Sequence, residues 1–313
     1  MSLIELIEQS AAQLESAGAG FGHGTTNAFD EAAWLVLWQL GLPLDTPLDG
    51  QTLLAKMPVG EVEQAQVAVL LEARIVSRKP AAYLTREAWL QGVPFYVDER
   101  AIVPRSFIAE LLVDGTIDAW LGEETHRVLD LCTGNGSLAV LAAMAYPDVA
   151  VDASDISGAA LEVAQINVNR HALQHRINVL KADGLPSQTK PYDLILCNPP
   201  YVNAKSMGAL PAEYQAEPAL ALDGNRHGGS DGMDFIRILL HQAPAHLTVE
   251  GVLVLEIGNE RRHFEAAFPR LDVVWLPTSA GTDQVLLVTA AALQAPPPVQ
   301  GRVSARQHPA TSN

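Results

Sequence analysis

Five short apolar runs, "RVLDLC", "VAVDASD", "INVLKAD", "YDLILCN" and "GVLVLEIG", follow one another from about residue 108 onward. Stretches with helical periodicity, such as "SGAALEVAQINVNRH" and "GMDFIRILLHQAPAHL", separate them. Near-continuous apolar runs belong to strands buried on both faces, and strands alternating with helices pack as a parallel sheet between two helical layers. The pattern predicts an α/β fold with a mostly parallel, Rossmann-like sheet. Two further runs, "LDVVWLP" and "DQVLLVT", are joined only by "TSAGT". That link is too short for a helical crossover, so the sheet is expected to end in an antiparallel hairpin.

The chain ahead of the sheet is different. Leu3, Leu6, Ile7, Ala11 and Leu14 share one helical face, "FDEAAWLVLWQLGLP" reads as a second helix stopped by Gly41 and Pro43, and "VEQAQVAVLLEARIVSR" reads as a third ending before Pro80. Then "EAWLQG" and "VPFYVDE" flank Gly92, the signature of a hairpin. With 313 residues, 48% of them apolar, the chain can build more than one core. The expected organisation is a small helical substrate-recognition domain over 1–82, a β-hairpin linker over 83–104, a catalytic sheet domain over 105–293 and a tail over 294–313. That tail is rich in Pro and polar residues and is expected to be disordered.

Charge narrows the partners. Twenty Lys and Arg against 36 Asp and Glu give a net charge of −16 and a pI near 4.9. Such a surface repels phosphate backbones and favours a basic protein or a small molecule, so no nucleic-acid specificity is expected. Cys132 and Cys197 sit in apolar runs with no metal-type spacing, which reads as reduced, buried thiols, a cytoplasmic setting and no metal. The N-terminal "MSLIELIEQSAAQLES" lacks a basic leader and carries Glu5 and Glu8, so it reads as an amphipathic helix rather than a signal peptide. No run approaches the roughly 18 apolar residues that span a membrane.

The turn after the first strand, in "VLDLCTGNGSLAVLAAM", holds Gly134 and Gly136. Glycine lets a ligand approach the backbone, and the following helix N-terminus offers free amides. Gly134, Gly136 and Ala139 also fit G-x-G-x-x-A, with Asp155 at the distance of a ribose-binding acid, so the turn alone suits a nicotinamide dinucleotide and S-adenosylmethionine equally. Asp130, two residues before the turn, separates them. Its carboxylate could hold the ammonium of S-adenosylmethionine, and a dinucleotide has no such cation. Asp155 ends the second strand and could accept both ribose hydroxyls, while Asp183 ends the third, where an adenine would lie. Three carboxylates at successive strand ends form one rim in the crevice where open α/β sheets bind ligands.

The fourth strand runs into "CNPPYVNAK". In a doubly wound sheet this strand lies beside the first, so Asn198 should face the bound cofactor. Pro199 and Pro200 stiffen the chain and lack N–H donors, fixing the direction of the backbone carbonyls. One such carbonyl and the Asn198 side-chain oxygen can accept both hydrogens of an incoming NH2 group, and Tyr201 supplies a flat face for a planar amide or base. An amide or aromatic amine attacks a methyl group poorly because its lone pair is delocalised. Holding both hydrogens orients that lone pair at a methyl sulfonium and stabilises the transition state.

Together "VLDLCTGNGSLAV" and "LILCNPPYV" resemble the class I S-adenosylmethionine-dependent methyltransferases of the HemK-like protein glutamine methyltransferase family, which modify glutamine side chains in proteins of the translation machinery. The blocks "RKPAAYLTREAWLQGVPFYVDERAIVPRSFIAELL", "AEPALALDGNRHGGSDGMDFI" and "VLVLEIGNE" extend the resemblance over about residues 20 to 290. One branch methylates the Gly-Gly-Gln loop of peptide chain release factors; its members usually have a proline and acidic residues after "PR" and a glycine at Cys132. "VPRSFIAELL" and "DLCTG" instead resemble the branch that methylates the third protein of the large ribosomal subunit, with Asn135 departing from a frequent serine. The resemblance implies that Thr133, Gly134, Asn135 and Gly136 bind the methionine part of the cofactor and Asp155 the ribose. Asp183 and Gly184 would lie by the adenine, and Asn198, Pro199, Pro200 and Tyr201 would hold the glutamine amide. Arg105 and Glu217 fall in family blocks near the cleft, either as substrate contacts or as a surface ion pair. A basic ribosomal protein suits an acidic enzyme electrostatically.

Adenine-specific DNA methyltransferases share the Asn-Pro-Pro-Tyr motif but need a positive surface and a base-flipping step. Here the first basic residue is Lys56. A nicotinamide oxidoreductase would leave Asn198 without a role, and a non-catalytic binding module would have no need of Asn198 and Tyr201.

Overall fold

The computed structural model describes residues 1–50, 52–187 and 190–294. A hairpin of β1 (Ala88–Leu90) and β2 (Val93–Phe95) precedes a seven-stranded sheet. The sheet contains β3 (Arg127–Leu131), β4 (Ala150–Asp155), β5 (Ile177–Lys181), β6 (Tyr192–Cys197), β7 (Leu247–Glu256), β8 (Val274–Thr278) and β9 (Gly281–Thr289), in the order β5-β4-β3-β6-β7-β9-β8. The five strands β3 to β7 pair in parallel, as their apolar runs predicted. Strand order reverses between β3 and β6, with Leu131 level with Cys197, which makes their carboxyl ends the switch point of the sheet.

Burial on both faces follows from the alternation of each strand. Val128, Leu194, Leu196, Val252 and Val254 pack with the helix Ser137–Ala145 on one side. Leu129, Leu131, Ile195, Leu253 and Leu255 pack with the helix Asp234–Gln242 on the other. The terminal hairpin is present, and β9 inserts between β7 and β8. Residues Val285 to Val288 of β9 are all buried, whereas β8 buries only Leu276, so the more apolar strand takes the interior place and the more polar one the edge.

The N-terminal helices are α1 (Leu3–Ser16), α2 (Ala28–Gln39) and α3 (Glu61–Ser77). Ser2 and Glu5 close a capping box on α1, and Asn27 Oδ1 accepts from Asp30 N at 2.9 Å to cap α2. Leu3, Ile7, Leu14, Leu35, Val67 and Leu71 build a core apart from the sheet, which Val97 and Val103 of the connecting chain also enter. A short helix at Ala81–Thr85, which the periodicity did not show, leads into the hairpin. Gln294, expected to begin the tail, closes a final helix at Ala290–Gln294; the remaining tail residues, 295–313, lie outside those described. Among the described residues no helix is long and apolar enough to cross a membrane.

Candidate active site

The carboxyl ends of β3, β4 and β6 open onto one cavity, whose walls include Cys132, Gly134, Asp155, Asp183, Asn198 and Pro200. Gly184 belongs to the same wall, and Arg100, Ala101 and Ile102 of the connecting chain close another side. The two glycines of the turn divide their work. Gly134, at φ +55°, has no atom within 4 Å of where a Cβ would sit and leaves the backbone open to the cavity. Gly136, at φ +81°, packs so tightly that a Cβ would lie 3.1 Å from the Ala164 Cα. Gly136→Ala is therefore expected to destabilise the fold by about 1–3 kcal/mol, read as a lower midpoint in denaturant unfolding.

The rest of the turn is tied internally. Thr133 Oγ1 donates to Asp130 Oδ2 at 2.5 Å, Ala139 N donates to the same oxygen at 2.9 Å, and Asn135 Oδ1 accepts from Ser137 N at 3.2 Å. Asn167, on the helix Gly158–Arg170, fastens the turn from behind by donating to the Asn135 carbonyl at 2.8 Å. Asp130, Thr133, Asn135 and Gly136 thus shape the loop and are absent from the cavity lining. Asp130 is only 1% exposed, and burial pushes its carboxyl up to about 7 against the two hydrogen bonds. Its Oδ1 has no hydrogen-bond partner among the described residues. Asp155 does line the cavity. Burial raises its carboxyl too, against backbone donors from Ser157 at 2.8 Å and Gly134 at 3.0 Å, one on each oxygen.

The thiols differ from the expectation of two buried groups. Cys197 is fully buried in β6, but Cys132 is half-buried and faces the cavity. The reason is backbone geometry, because Cys132 adopts φ +61° where the chain turns off β3 and so projects at the strand end.

Asn198 emerges from β6 half-buried at the cavity wall, and its side chain makes no hydrogen bond among the described residues. Its acceptor and donor groups are available to a ligand. Pro200 joins it on the wall, while Pro199 is buried behind. The Tyr201 ring, expected to offer a stacking face, lies against Gly258, where a Cβ would come within 2.6 Å of the ring. Its hydroxyl donates to Glu256 Oε1 at 3.4 Å.

Arg105 and Glu217 meet each other rather than the cavity. Two hydrogen bonds of 2.6 and 2.7 Å join them, and Val103 N donates to Glu217 Oε1 at 2.9 Å. Glu217 is buried, so the pair is not a surface ion pair. Burial opposes its ionisation most strongly, but the charges and hydrogen bonds of Arg105 and His23 together outweigh it and hold the carboxyl down to about 2. Beside them the buried Arg74 of α3 bridges Glu31 of α2 at 2.8 Å and Glu213 at 3.2 Å. The chain that follows Asn198 is thereby fastened to the N-terminal helices.

No spacing rule pointed to the Arg100–Ile102 wall, to Asn167 or to the grip of Glu256 and Gly258 on Tyr201. "VLVLEIGNE" stood out only as a block with no assigned job.

The donor and acceptor set fits S-adenosylmethionine on its own terms. A bare glycine backbone opens onto the cavity, each Asp155 oxygen keeps capacity to accept a hydroxyl, and Leu131, Ile156 and Ala160 supply apolar surface for a base.

Residues 109–220 match the family model described as the methyltransferase small domain. The ribosomal protein uL3 glutamine methyltransferase of Bordetella pertussis is 50% identical over 296 residues, covering 92% of this chain and 95% of that protein. Its counterpart in Burkholderia pseudomallei is 49% identical, covering 93% of this chain and 95% of that protein. That of Neisseria gonorrhoeae is 47% identical, covering 91% and 93%.

Proposed function

Because this chain belongs to the family of ribosomal protein uL3 glutamine methyltransferases, we propose that it moves a methyl group from S-adenosylmethionine to the side-chain amide nitrogen of a glutamine in ribosomal protein uL3. The observation that carries the reading is Asn198, whose carboxamide makes no hydrogen bond among the described residues and stands on the same cavity wall as Asp155 and Gly134.

The cofactor, when bound, supplies a methyl group made electrophilic by a sulfonium. The protein's part is to hold and orient. Asp155 accepts the ribose hydroxyls, Asp183 and Gly184 flank the adenine, and the uncovered backbone of Gly134 admits the methionine part. Asp130 acts through the turn that it ties with Thr133. Asn198 Oδ1 and a carbonyl of the proline-stiffened chain accept the two amide hydrogens, so the nitrogen presents its lone pair to the methyl group. The nitrogen becomes acidic as it is methylated and sheds a proton, so no strong base is required.

The acidic chain suits a basic ribosomal protein and repels nucleic acid, which favours a protein amide over a DNA base as the acceptor. The kinship to uL3 glutamine methyltransferases favours uL3 over a release factor, and the enzyme would meet uL3 in the cytoplasm where ribosomes assemble. Incubating the protein with labelled cofactor, uL3 and release factors, followed by mass spectrometry, tests this directly. One added methyl on a uL3 glutamine is expected. Label confined to a release factor would move the chain to the other glutamine-modifying branch.

A further inference from the structure

The segment "EIGNE" at the end of β7 holds the chain that leaves Asn198 at three successive points. Glu256, only 2% exposed, faces the Tyr201 hydroxyl with Oε1, while its Oε2 accepts from Ser106 Oγ at 2.6 Å and from Phe107 N at 2.9 Å. Gly258, at φ +52°, leaves room for the Tyr201 ring directly over its backbone. Glu260 Oε1 accepts from Asn203 Nδ2 at 2.6 Å. Alternate residues running from the last position of β7 into the turn beyond it therefore grip Tyr201 twice and Asn203 once, immediately downstream of the two prolines. The other end of Glu256 is anchored to the connecting chain, one residue past Arg105.

We propose that Glu256, Gly258 and Glu260 are positioning residues for methyl transfer, fixing Asn198 in the cavity through Tyr201 and Asn203 without touching either substrate. The inference rests on the function proposed above, with Asn198 as the group that orients the amide. The two prolines make the link stiff, so a shift at Tyr201 is passed to Asn198 rather than absorbed between them. A carboxylate buried beside Tyr201 also has a chemical reason to be there. It can accept the hydroxyl proton when ionised and donate to the hydroxyl oxygen when protonated, so Tyr201 keeps a partner in either state. Burial pushes Glu256 up to about 7, against Ser106, two backbone amides and Arg105, which places both states within reach near neutrality.

Glu256→Ala is expected to lower kcat about tenfold or more, since displacements on the scale of 1 Å at a reacting group cost up to about 10²-fold. Glu256→Gln, which keeps the shape and a hydrogen-bonding group, should restore most of that loss. Cofactor affinity, measured by titration calorimetry, should change little in either variant. If Glu256 acts through Tyr201, the Glu256→Ala, Tyr201→Phe double variant should be hardly slower than the slower single variant rather than showing the product of both losses. Asn203→Ala tests the second tether at a less buried position and is expected to reduce kcat several-fold with cofactor affinity kept, even if Glu256→Ala fails to fold. Full kcat in Asn203→Ala, multiplicative losses in the double variant, or cofactor affinity falling in step with kcat would overturn the proposal. An inactive wild-type protein would instead count against the function itself.

Discussion

Replacing Asn198 with alanine is expected to leave S-adenosylmethionine binding nearly intact and to lower kcat for uL3 methylation by about 10²–10³-fold, the usual cost of losing one preorganised polar group at a transition state. The split follows from where the side chain stands. Asp155, Asp183, Gly184 and Gly134, to which the proposed function assigns the cofactor, line the cavity without help from Asn198, which has no hydrogen bond to any of them. Truncation therefore removes an acceptor from the amide while the cofactor's partners remain. The glutamine nitrogen then keeps its delocalised lone pair in whatever orientation solvent allows. Calorimetric titration of the cofactor beside steady-state methylation separates the two effects. A variant that turns over at the wild-type rate would remove the chemical role given to this residue.

Arg105→Ala should produce the second large effect, on stability. It leaves Glu217 buried without its guanidinium partner, with only Val103 N and His23, 3.4 Å away, beside the carboxylate, and breaking a buried pair in this way costs about 3–5 kcal/mol. The pH dependence distinguishes this from a general packing loss. In the wild type Glu217 sits below its ordinary value of 4.5, so its contribution is complete above that pH and is lost as pH falls towards about 2. In the variant Val103 N and His23 remain beside Glu217 but the guanidinium charge is gone, so burial weighs more heavily and protonation relieves the stranded charge. The stability gap between the two proteins should therefore be widest near neutrality and should narrow on acidification through this window. Denaturant unfolding at a series of pH values measures the gap, and one that stays constant down to pH 3 would contradict the assignment.

The parts of this molecule legible in its sequence are those governed by local pattern. Buried parallel strands must be apolar on both faces, so "RVLDLC" and "YDLILC" announced β3 and β6, and the rule that they are neighbours placed Asn198 at the switch point. Gly134 and Asp155, both of which line the cavity, were legible because a ligand can approach a bare glycine backbone at a strand end and a carboxylate there can accept its hydroxyls. What stayed hidden depends on contacts between distant segments. Arg105 and Glu217 are 112 positions apart, and nothing in either neighbourhood marks one as the other's partner. Asp130 was readable as a strand-end carboxylate, but not that Thr133 and Ala139 would occupy one of its oxygens. Tyr201 reads as a stacking ring because its motif shows an aromatic face, whereas the contact with Gly258, 57 positions away, exists only in the fold. The insertion of β9 between β7 and β8 follows from comparing how apolar two strands are, and a hairpin pattern alone leaves that order open.

The central claim concerns one hydrogen-bonding arrangement, and a structure of the enzyme with a demethylated cofactor product and a glutamine peptide from uL3 tests it most directly. The account predicts the glutamine amide nitrogen about 3 Å from Asn198 Oδ1 and from a carbonyl of the following proline segment, with its free face turned towards the cofactor sulfur. A glutamine amide bound elsewhere in the cavity, with Asn198 turned away and bonded to the protein instead, would contradict it.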